Sequence, residues 1–175
     1  MNDLLLQNFG VCTDEVHPDL ETALGVAREM GMRHVELLEF WGKPVTAMDD
    51  TEIDRARELL DRFEMGVSAI GSLFLKLVPL EHIPHGKVAG DPAFQKDLEL
   101  LRASILVAKR FEAPLVRTYA FRREAMVGAG NPSPRPKDGG NVPSELLERI
   151  VEGLRIAASE VSNSDVRSVS CAVIP

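Results

Sequence analysis

Apolar residues along this chain follow two alternating spacings. Short runs rich in apolar and β-branched residues, the pattern of strands, give way to longer stretches with an apolar residue every three or four positions, the pattern of amphipathic helices. This succession occurs four times in 175 residues. Strands that alternate with helices of this length are typical of βαβ units and a parallel sheet. The pattern therefore predicts an α/β fold with its functional residues beyond the carboxyl ends of the strands.

Five strands and four helices are predicted from these spacings. The predicted strands are Phe9–Thr13, His34–Phe40, Gly66–Phe74, Leu115–Phe121 and Arg167–Ile174. The predicted helices begin near Pro18, Asp50, Asp91 and Ser144. The apolar face of the first is predicted to hold Leu20, Leu24, Ala27 and Met30, and that of the fourth Leu147, Ile150, Leu154 and Ala158.

The number of units sets the expected architecture. A closed eight-stranded barrel needs roughly 250 residues, whereas this chain has 175. We therefore expect a partial (β/α) TIM barrel of about four βα units plus a fifth strand. It would form a single domain over 1–175, the N-terminal half of a barrel, with an atypical tail at 163–175.

An open sheet of this kind has surfaces that need covering. Five parallel strands with all helices on one side leave two unpaired edges and a bare face. We expect either self-association or further strands of a longer barrel. A small, complete doubly wound sheet is the alternative, and crossover handedness does not separate the two because right-handed connections are nearly universal.

Composition narrows the class of protein. The chain is 45% hydrophobic with a net charge of −7, which fits a globular domain and argues against binding to nucleic acid or an anionic membrane surface. No secretory signal or membrane span is recognisable, so we expect a cytoplasmic protein. The two cysteines, Cys12 and Cys171, match neither a zinc motif nor a disulfide framework and are expected to be buried as small hydrophobes.

A carboxylate interrupts the second predicted strand at Glu36. Side chains alternate along a strand, so Glu36 lies on the opposite face from Val35 and Leu37. If these two face the helices, Glu36 points into the barrel, where a carboxylate needs a cation, a metal or a proton. Two interpretations of Glu36 stay open. It could bind substrate, or it could form an ion pair with an interior arginine such as Arg117 that only supports the structure.

Arg117 repeats this logic on the fourth predicted strand, with Tyr119 and Phe121 on the same face. A cation beside aromatic rings suits a polyol or a phosphate. The alternative is a buried Arg–Glu pair with aromatic packing. In either case the phase of the strands predicts that Arg117 and Glu36 face one another on the concave side of the sheet.

Two further residues, Trp41 and Lys43, follow the second predicted strand. An indole and an ammonium in a βα loop are suited to stacking on a sugar ring and to hydrogen bonding with it. A single tryptophan is more often simply part of the core, and that interpretation stays open as well.

Other motifs carry less information. His82 and His85 make a weak metal pair because Pro84 disfavours a regular helix between them. The doublet Arg122–Arg123 is more typical of a solvated strand end than of an anion site. The segment Gly128–Pro143 is rich in Gly, Pro and Ser and is predicted to be a lid over the strand ends.

Several stretches together resemble the sugar phosphate isomerase/epimerase family, the xylose isomerase-like TIM barrels. The stretches that carry the resemblance are Gly31–Leu37, Trp41–Lys43, Val67–Ser72, Leu100–Ile105, Ala108–Arg110 and Val116–Phe121. The likeness covers roughly residues 9 to 162, and it depends on the order and spacing of these pieces. It implies a TIM-barrel fold and a role in carbohydrate metabolism.

The resemblance also implies a chemistry, aldose–ketose isomerisation or epimerisation. A base removes a proton next to a carbonyl while a divalent metal stabilises the enediolate oxygen. Members usually hold Mg²⁺, Mn²⁺ or Co²⁺ through Glu, Asp, His and Glu on later strands, beginning at strand five. No carboxylate follows Asp165 in this chain. We therefore expect no metal or other cofactor here, and no catalytic residue is assigned.

Without the metal ligands of the later strands, the chain corresponds to the half of the barrel that would hold the substrate. The expected contacts to a small-molecule sugar or sugar phosphate are Glu36, Trp41, Lys43, Arg117 and Tyr119. The function implied is sugar isomerase or epimerase, in a fragment that is incomplete and inactive alone.

Two alternatives stay open. One is a non-catalytic half-barrel that binds a ligand or self-associates. The other is an endonuclease IV-like phosphodiesterase, which ranks lower because such enzymes place metal-binding histidines on strands three and four. Here those strands end in Ser72 and Tyr119.

Overall fold

The main sheet contains five parallel strands. The computed structural model describes residues 9–76, 78–119 and 142–162, together with the backbone of 167–171. The strands are β1 Gly10–Cys12, β2 His34–Leu37, β3 Gly66–Gly71, β4 Leu115–Tyr119 and β5 Arg167–Cys171. They lie side by side in chain order, and each neighbouring pair is parallel. A doubly wound sheet reverses its strand order at a switch point, and the sheet formed by the described strands has no such reversal.

Four long helices separate the strands. They are α1 Leu20–Glu29, α2 Asp50–Arg62, α3 Pro92–Arg110 and α4 Ser144–Ser162. Because the strand order runs in one direction and crossovers are right-handed, all four helices cover the same side of the sheet. The predicted partial (β/α) TIM barrel, with four βα units and a fifth strand, is confirmed. None of the helices in the described ranges is both long and apolar enough to cross a membrane.

Shorter elements occupy the loops at the strand ends. They are a single helical turn at Thr13–Val16, 3-10 turns at Val45–Ala47, Leu80–His82 and Val88–Gly90, and an antiparallel ladder of Glu39–Phe40 with Lys43–Pro44. The predicted second strand, His34–Phe40, is therefore too long. The chain leaves the main sheet after Leu37 and reverses through Trp41 and Gly42, both with positive φ (54° and 76°).

The two faces of the sheet differ in burial. Val35 and Leu37 on β2, and Val116 and Thr118 on β4, are buried against the helices. The residues between them point to the open face, where they are only partly buried. This alternation confirms the predicted phase of both strands, and it places polar side chains on the face that the helices do not cover.

The apolar face of α4 differs from the prediction by one position. Its buried residues are Leu146, Ile150, Gly153, Ala157 and Val161. Leu147 is 52% exposed and Ala158 is exposed, so both assignments are wrong. The physical reason is close packing at Gly153, where an added Cβ would lie 3.2 Å from Cε2 of Phe94 on α3.

Met30 is also outside the core, with 54% of its surface exposed. It is the C-terminal cap of α1, one residue beyond the last residue of the helix. The other three predicted core residues of this helix, Leu20, Leu24 and Ala27, are fully buried.

Aspartates begin three of the helices. Asp19 accepts a hydrogen bond from the backbone of Thr22, and Asp91 accepts from the first turn of α3. Asp49 forms a reciprocal capping box with Glu52 at the start of α2, each side chain accepting from the other residue's backbone N–H at 2.9 Å. These bonds satisfy N–H groups that have no partner within the helix.

We expect Asp49→Ala to lower the free energy of unfolding by about 1 kcal/mol, because it removes the acceptor in this capping box. Urea denaturation followed by circular dichroism measures the change. Asp54→Ala, at an exposed position within the same helix, is the matched control and should stay within about 0.5 kcal/mol of wild type. Equal effects of the two substitutions would contradict the role of the cap.

Candidate functional site

An ion pair crosses the open face of the sheet. Nε of Arg117 on β4 donates to Oε1 of Glu36 on β2 at 2.5 Å. The two side chains are only 17% and 18% exposed. This contact confirms the prediction that they face one another. Neighbouring strands lie about 4.8 Å apart, so the pair spans the intervening strand β3.

Gly71, the last residue of β3, makes this span possible. It lies beside Arg117 in the register of the sheet. A Cβ at this position would be 2.8 Å from Oε1 of Glu36 and 2.9 Å from Cβ of Leu38. Glycine therefore leaves open the space through which the carboxylate reaches the guanidinium.

Tyr119 completes the cationic side of the cluster. Nη1 of Arg117 donates to the Tyr119 hydroxyl at 2.9 Å, and the guanidinium carbon lies 5.3 Å from the centre of the tyrosine ring. Burial alone would lower the pKa of Arg117, but the hydrogen bonds to Tyr119 and Glu36 outweigh it and raise the pKa above its usual value. Arg117 is therefore a permanent cation with fixed orientation.

Lys76 approaches the same ring from the turn after β3. Its Nζ lies 5.1 Å from the centre of the Tyr119 ring, within the distance of a cation–π contact. Sequence reasoning missed Lys76 because nothing in its neighbourhood along the chain marks it. Only the fold brings the end of β3 next to the end of β4.

Cys12 and Asp14 border the acidic side of the cluster, and they too were missed as site residues. The Cys12 thiol donates to Oδ1 of Asp14 at 2.9 Å and lies 3.7 Å from Oε1 of Glu36. Burial, with further contributions from Asp14 and Glu36, raises the pKa of the thiol, so it stays protonated and donates. The expectation that Cys12 is a buried hydrophobe is wrong, because the residue is only partly buried and its thiol is hydrogen-bonded to a carboxylate. The Cys171 side chain lies outside the described residues.

The cluster gathers at the carboxyl ends of the strands. Cys12 and Gly71 are the last residues of β1 and β3, and Tyr119 is the last of β4. In parallel α/β folds this edge carries the functional residues. A cavity of about 630 Å³ lies elsewhere, at the amino ends, where residues such as Gly10, His34 and Gly66 line it. Its position at the opposite edge separates it from the cluster.

Trp41 and Lys43 are held against the outer helices rather than in this cluster. The indole Nε1 of Trp41 donates to Asp19 at 3.1 Å, and the Arg55 guanidinium lies 4.4 Å from the ring centre. Lys43 pairs with Glu52 at 2.5 Å. Both side chains thus have partners of their own, and their assignment as substrate contacts stays a prediction.

The remaining candidates divide between the described and undescribed parts of the chain. His85 lies 3.2 Å from the carboxylate of Glu148 on α4. Arg122–Arg123 and nearly all of the predicted lid Gly128–Pro143 lie outside the described residues, as does the tail after Cys171. Within the ranges that the structure covers, no group of three or more His, Cys, Asp or Glu is arranged to hold a metal ion.

Comparison with known proteins gives matches among solved structures. No protein-family model and no curated protein sequence matches significantly. The structure of a xylose isomerase-like TIM barrel protein from Mycobacterium smegmatis in complex with magnesium matches with a TM-score of 0.65 and 14% identity, covering 97% of this chain and 56% of that one. The chain has the fold of a xylose isomerase-like TIM barrel. It spans about half the length of the solved structures that it matches.

Two sugar epimerase structures share this xylose isomerase-like fold. A D-tagatose 3-epimerase-like protein matches with a TM-score of 0.59 and 17% identity, over 93% of this chain and 51% of its own. D-allulose 3-epimerase from Methylomonas sp., solved in complex with D-allulose, matches with a TM-score of 0.57 and 14% identity, over 94% of this chain and 50% of its own. These matches confirm the fold that the sequence resemblance implied.

The residues described do not fit the divalent metal that this fold family implies. The carboxylate at the centre of the cluster, Glu36, is already paired with Arg117, and the neighbouring thiol of Cys12 is a soft ligand that hard ions such as Mg²⁺ disfavour. What the cluster offers instead is a fixed guanidinium, a phenol and a nearby ammonium. Such groups bind hydroxyl, carbonyl and anionic oxygens.

We expect Gly71→Ala to lower the free energy of unfolding by about 1–3 kcal/mol, because the new Cβ would overlap the Glu36 carboxylate and the Leu38 side chain. Gly90→Ala is the matched control, since an added Cβ there meets nothing within 4 Å. Urea denaturation of both variants measures the difference. A Gly71→Ala variant as stable as Gly90→Ala would show that the carboxylate does not cross the sheet at this point.

A double-mutant cycle tests the ion pair itself. We expect Glu36→Gln and Arg117→Met each to lower the free energy of unfolding by about 3 kcal/mol, because each leaves a largely buried charge uncompensated. The double variant should lose less than the sum, with a coupling of about 2 kcal/mol. The exposed pair Arg62–Glu21 is the control and should show less than about 1 kcal/mol. Additive losses at Glu36 and Arg117 would contradict the pairing.

Proposed function

We propose that this chain binds a sugar or sugar phosphate at the cluster of Glu36, Arg117 and Tyr119, in a protein of the sugar isomerase or epimerase class. One observation carries the proposal, the oriented guanidinium and phenol at the carboxyl ends of the strands. The similarity in fold to sugar epimerases supports it. The reaction class would be proton transfer next to a carbonyl.

Each residue of the cluster has a role that follows from its bonds. Arg117 would donate to a carbonyl, hydroxyl or phosphate oxygen of the sugar, while Glu36 fixes the plane of the guanidinium. The Tyr119 hydroxyl, which accepts from Arg117, keeps its own proton to donate. Trp41 would contact substrate only after losing its contacts with Asp19 and Arg55, and Lys43 only after its ion pair with Glu52 breaks.

The metal of this enzyme class is not assigned to these residues. In the class, a divalent ion such as Mg²⁺, Mn²⁺ or Co²⁺ would polarise the carbonyl and stabilise the charge that develops on its oxygen. The cluster described here holds and orients substrate and does not supply the ligands for that ion. We therefore propose that the 175-residue polypeptide binds sugar without isomerising it.

A second candidate function is a self-associating binding module without catalysis. The observation that favours it is the sheet itself, in which the described residues leave β1 and β5 at the edges and polar residues on the open face. Backbone groups at such edges pair readily with another chain. In this proposal a second copy covers the edge, and sedimentation velocity should give a mass above that of the 19.2 kDa monomer.

We expect titration calorimetry to detect binding of a ketohexose or its phosphate to the wild-type chain. Arg117→Met should weaken binding at least about tenfold, because it removes a charge-assisted hydrogen bond. Arg62→Met, at an exposed arginine of α2, is the matched control and should bind as wild type does. No interconversion of ketose and epimer should occur with added Mg²⁺, Mn²⁺ or Co²⁺.

Two outcomes would overturn the proposal. Equal affinity of Arg117→Met and wild type would remove the cluster from the binding site. Turnover by the isolated polypeptide with a stoichiometric divalent ion would show that the chain contains a metal centre, and the division between substrate-holding and metal-binding residues would be wrong.

A further inference from the structure

A buried carboxylate outside the cluster is hydrogen-bonded to the turn that carries Lys76. Asp97 lies on the sheet-facing side of α3, among the apolar residues Phe94, Leu98 and Leu101, and is 8% exposed. Its Oδ2 accepts a hydrogen bond from the backbone N–H of Leu75 at 2.5 Å. Burial raises the pKa of this carboxyl group. A carboxylate at such a position costs free energy, so the bond that it makes must compensate.

The turn that receives this bond is strained. The N–H of Lys76 donates to the carbonyl of Leu73, which closes a four-residue turn over Leu73–Lys76. Leu75 occupies its third position with φ of 62°. That conformation favours glycine or asparagine and is disfavoured for a leucine. The Leu75 side chain is fully buried, so it anchors the turn in the core while its backbone remains strained.

The turn is also joined to the end of β4. The backbone N–H of Tyr119 donates to the carbonyl of Phe74 at 3.1 Å, and the Phe74 N–H donates to the Ser72 hydroxyl at 3.0 Å. Lys76 follows directly and reaches back over the Tyr119 ring. A continuous series of contacts thus leads from Asp97 through Leu75 and Lys76 to Tyr119.

We propose that Asp97 is a positioning residue, which holds the Leu73–Lys76 turn so that the ammonium of Lys76 faces the Arg117–Tyr119 side of the cluster and favours a sugar carrying an anionic group. The proposal rests on the function proposed above and specifies its substrate class. Among the residues that the structure describes, Lys76 contacts the Tyr119 ring and forms no ion pair with a carboxylate. The ammonium is therefore available to a phosphate or carboxylate on the ligand, whereas Arg117 is partly neutralised by Glu36.

The positioning role is tested without any ligand, because the chain contains a single tyrosine. Protein labelled with 3-fluorotyrosine gives one ¹⁹F resonance, that of Tyr119. We expect Lys76→Met to shift it, since the ammonium leaves the ring, and Asp97→Ala to shift it in the same direction. The double variant should shift no further than Lys76→Met alone. Asp97→Asn, which keeps an acceptor oxygen, should return the resonance toward wild type.

Lys96→Met is the matched control, at an exposed lysine one residue before Asp97, and should leave the resonance unchanged. An unmoved resonance in Lys76→Met, whose fold the change at an exposed side chain should preserve, would overturn the inference even if Asp97→Ala fails to fold. Additive shifts in the double variant would also overturn it, because Asp97 would then act by another route.

The substrate preference is tested by calorimetry with a ketohexose 6-phosphate, the same ketohexose without phosphate, and inorganic phosphate. We expect wild type to prefer the phosphorylated sugar. Lys76→Met should reduce this preference about tenfold, because it weakens the binding of a phosphate group far more than the binding of hydroxyl groups. An unchanged preference would overturn the role of Lys76. Failure of wild type to bind either sugar would overturn the proposed function, and the ¹⁹F measurement would still decide whether Asp97 positions Lys76.

Discussion

A charge on the open face of this sheet must find its partner within the protein, because water reaches less than a fifth of the Glu36 and Arg117 side chains. The need to pair these two charges determines the residue at the end of β3 and the orientation of Arg117. The two charges lie on strands that do not touch, so β3 must end in a residue without a side chain. The guanidinium must also satisfy its other donors, which it does in part at Tyr119. The ion pair therefore fixes the alignment of three strands as well as the orientation of Arg117.

The loops around the cluster are also held in place by hydrogen bonds. Trp41 is bound by its side chain to the N-terminal cap of α1, and its backbone N–H donates to the carbonyl of Pro18 at 2.8 Å. Asp97, a buried residue of α3, restrains the turn after β3 through its hydrogen bond with the backbone N–H of Leu75. A binding surface built from restrained groups loses little conformational entropy when a ligand arrives. Under the proposed function, such restraint would favour selective recognition of a small polar molecule.

Residues that stand out from their neighbours along the chain were predicted from the sequence. Residues whose role depends on contacts with other helices and strands were missed. Glu36 and Arg117 stand out because each interrupts an apolar strand, and the two-residue period assigns them to one face. The start of α3 was predicted from its cap Asp91 and from Pro92, whereas the cap of α2 is Asp49, one residue before the predicted Asp50. The face of α4 was not predicted correctly, because it depends on how closely Gly153 approaches Phe94. Lys76 and Asp97 were missed as site residues because their partners lie on other elements. The contacts of Trp41 with α1 and α2 could not be predicted for the same reason.

The order of the strands has a consequence for how the molecule is made. Each strand pairs with the one before it, so no strand among those described waits for a partner that is synthesised later. Domains generally acquire structure in the direction of translation. The edge exposed by one βα unit is the template for the next, and the sheet can therefore lengthen stepwise as the polypeptide leaves the ribosome. Closure of the Glu36–Arg117 pair must then await the fourth strand, which makes that contact a late event in assembly.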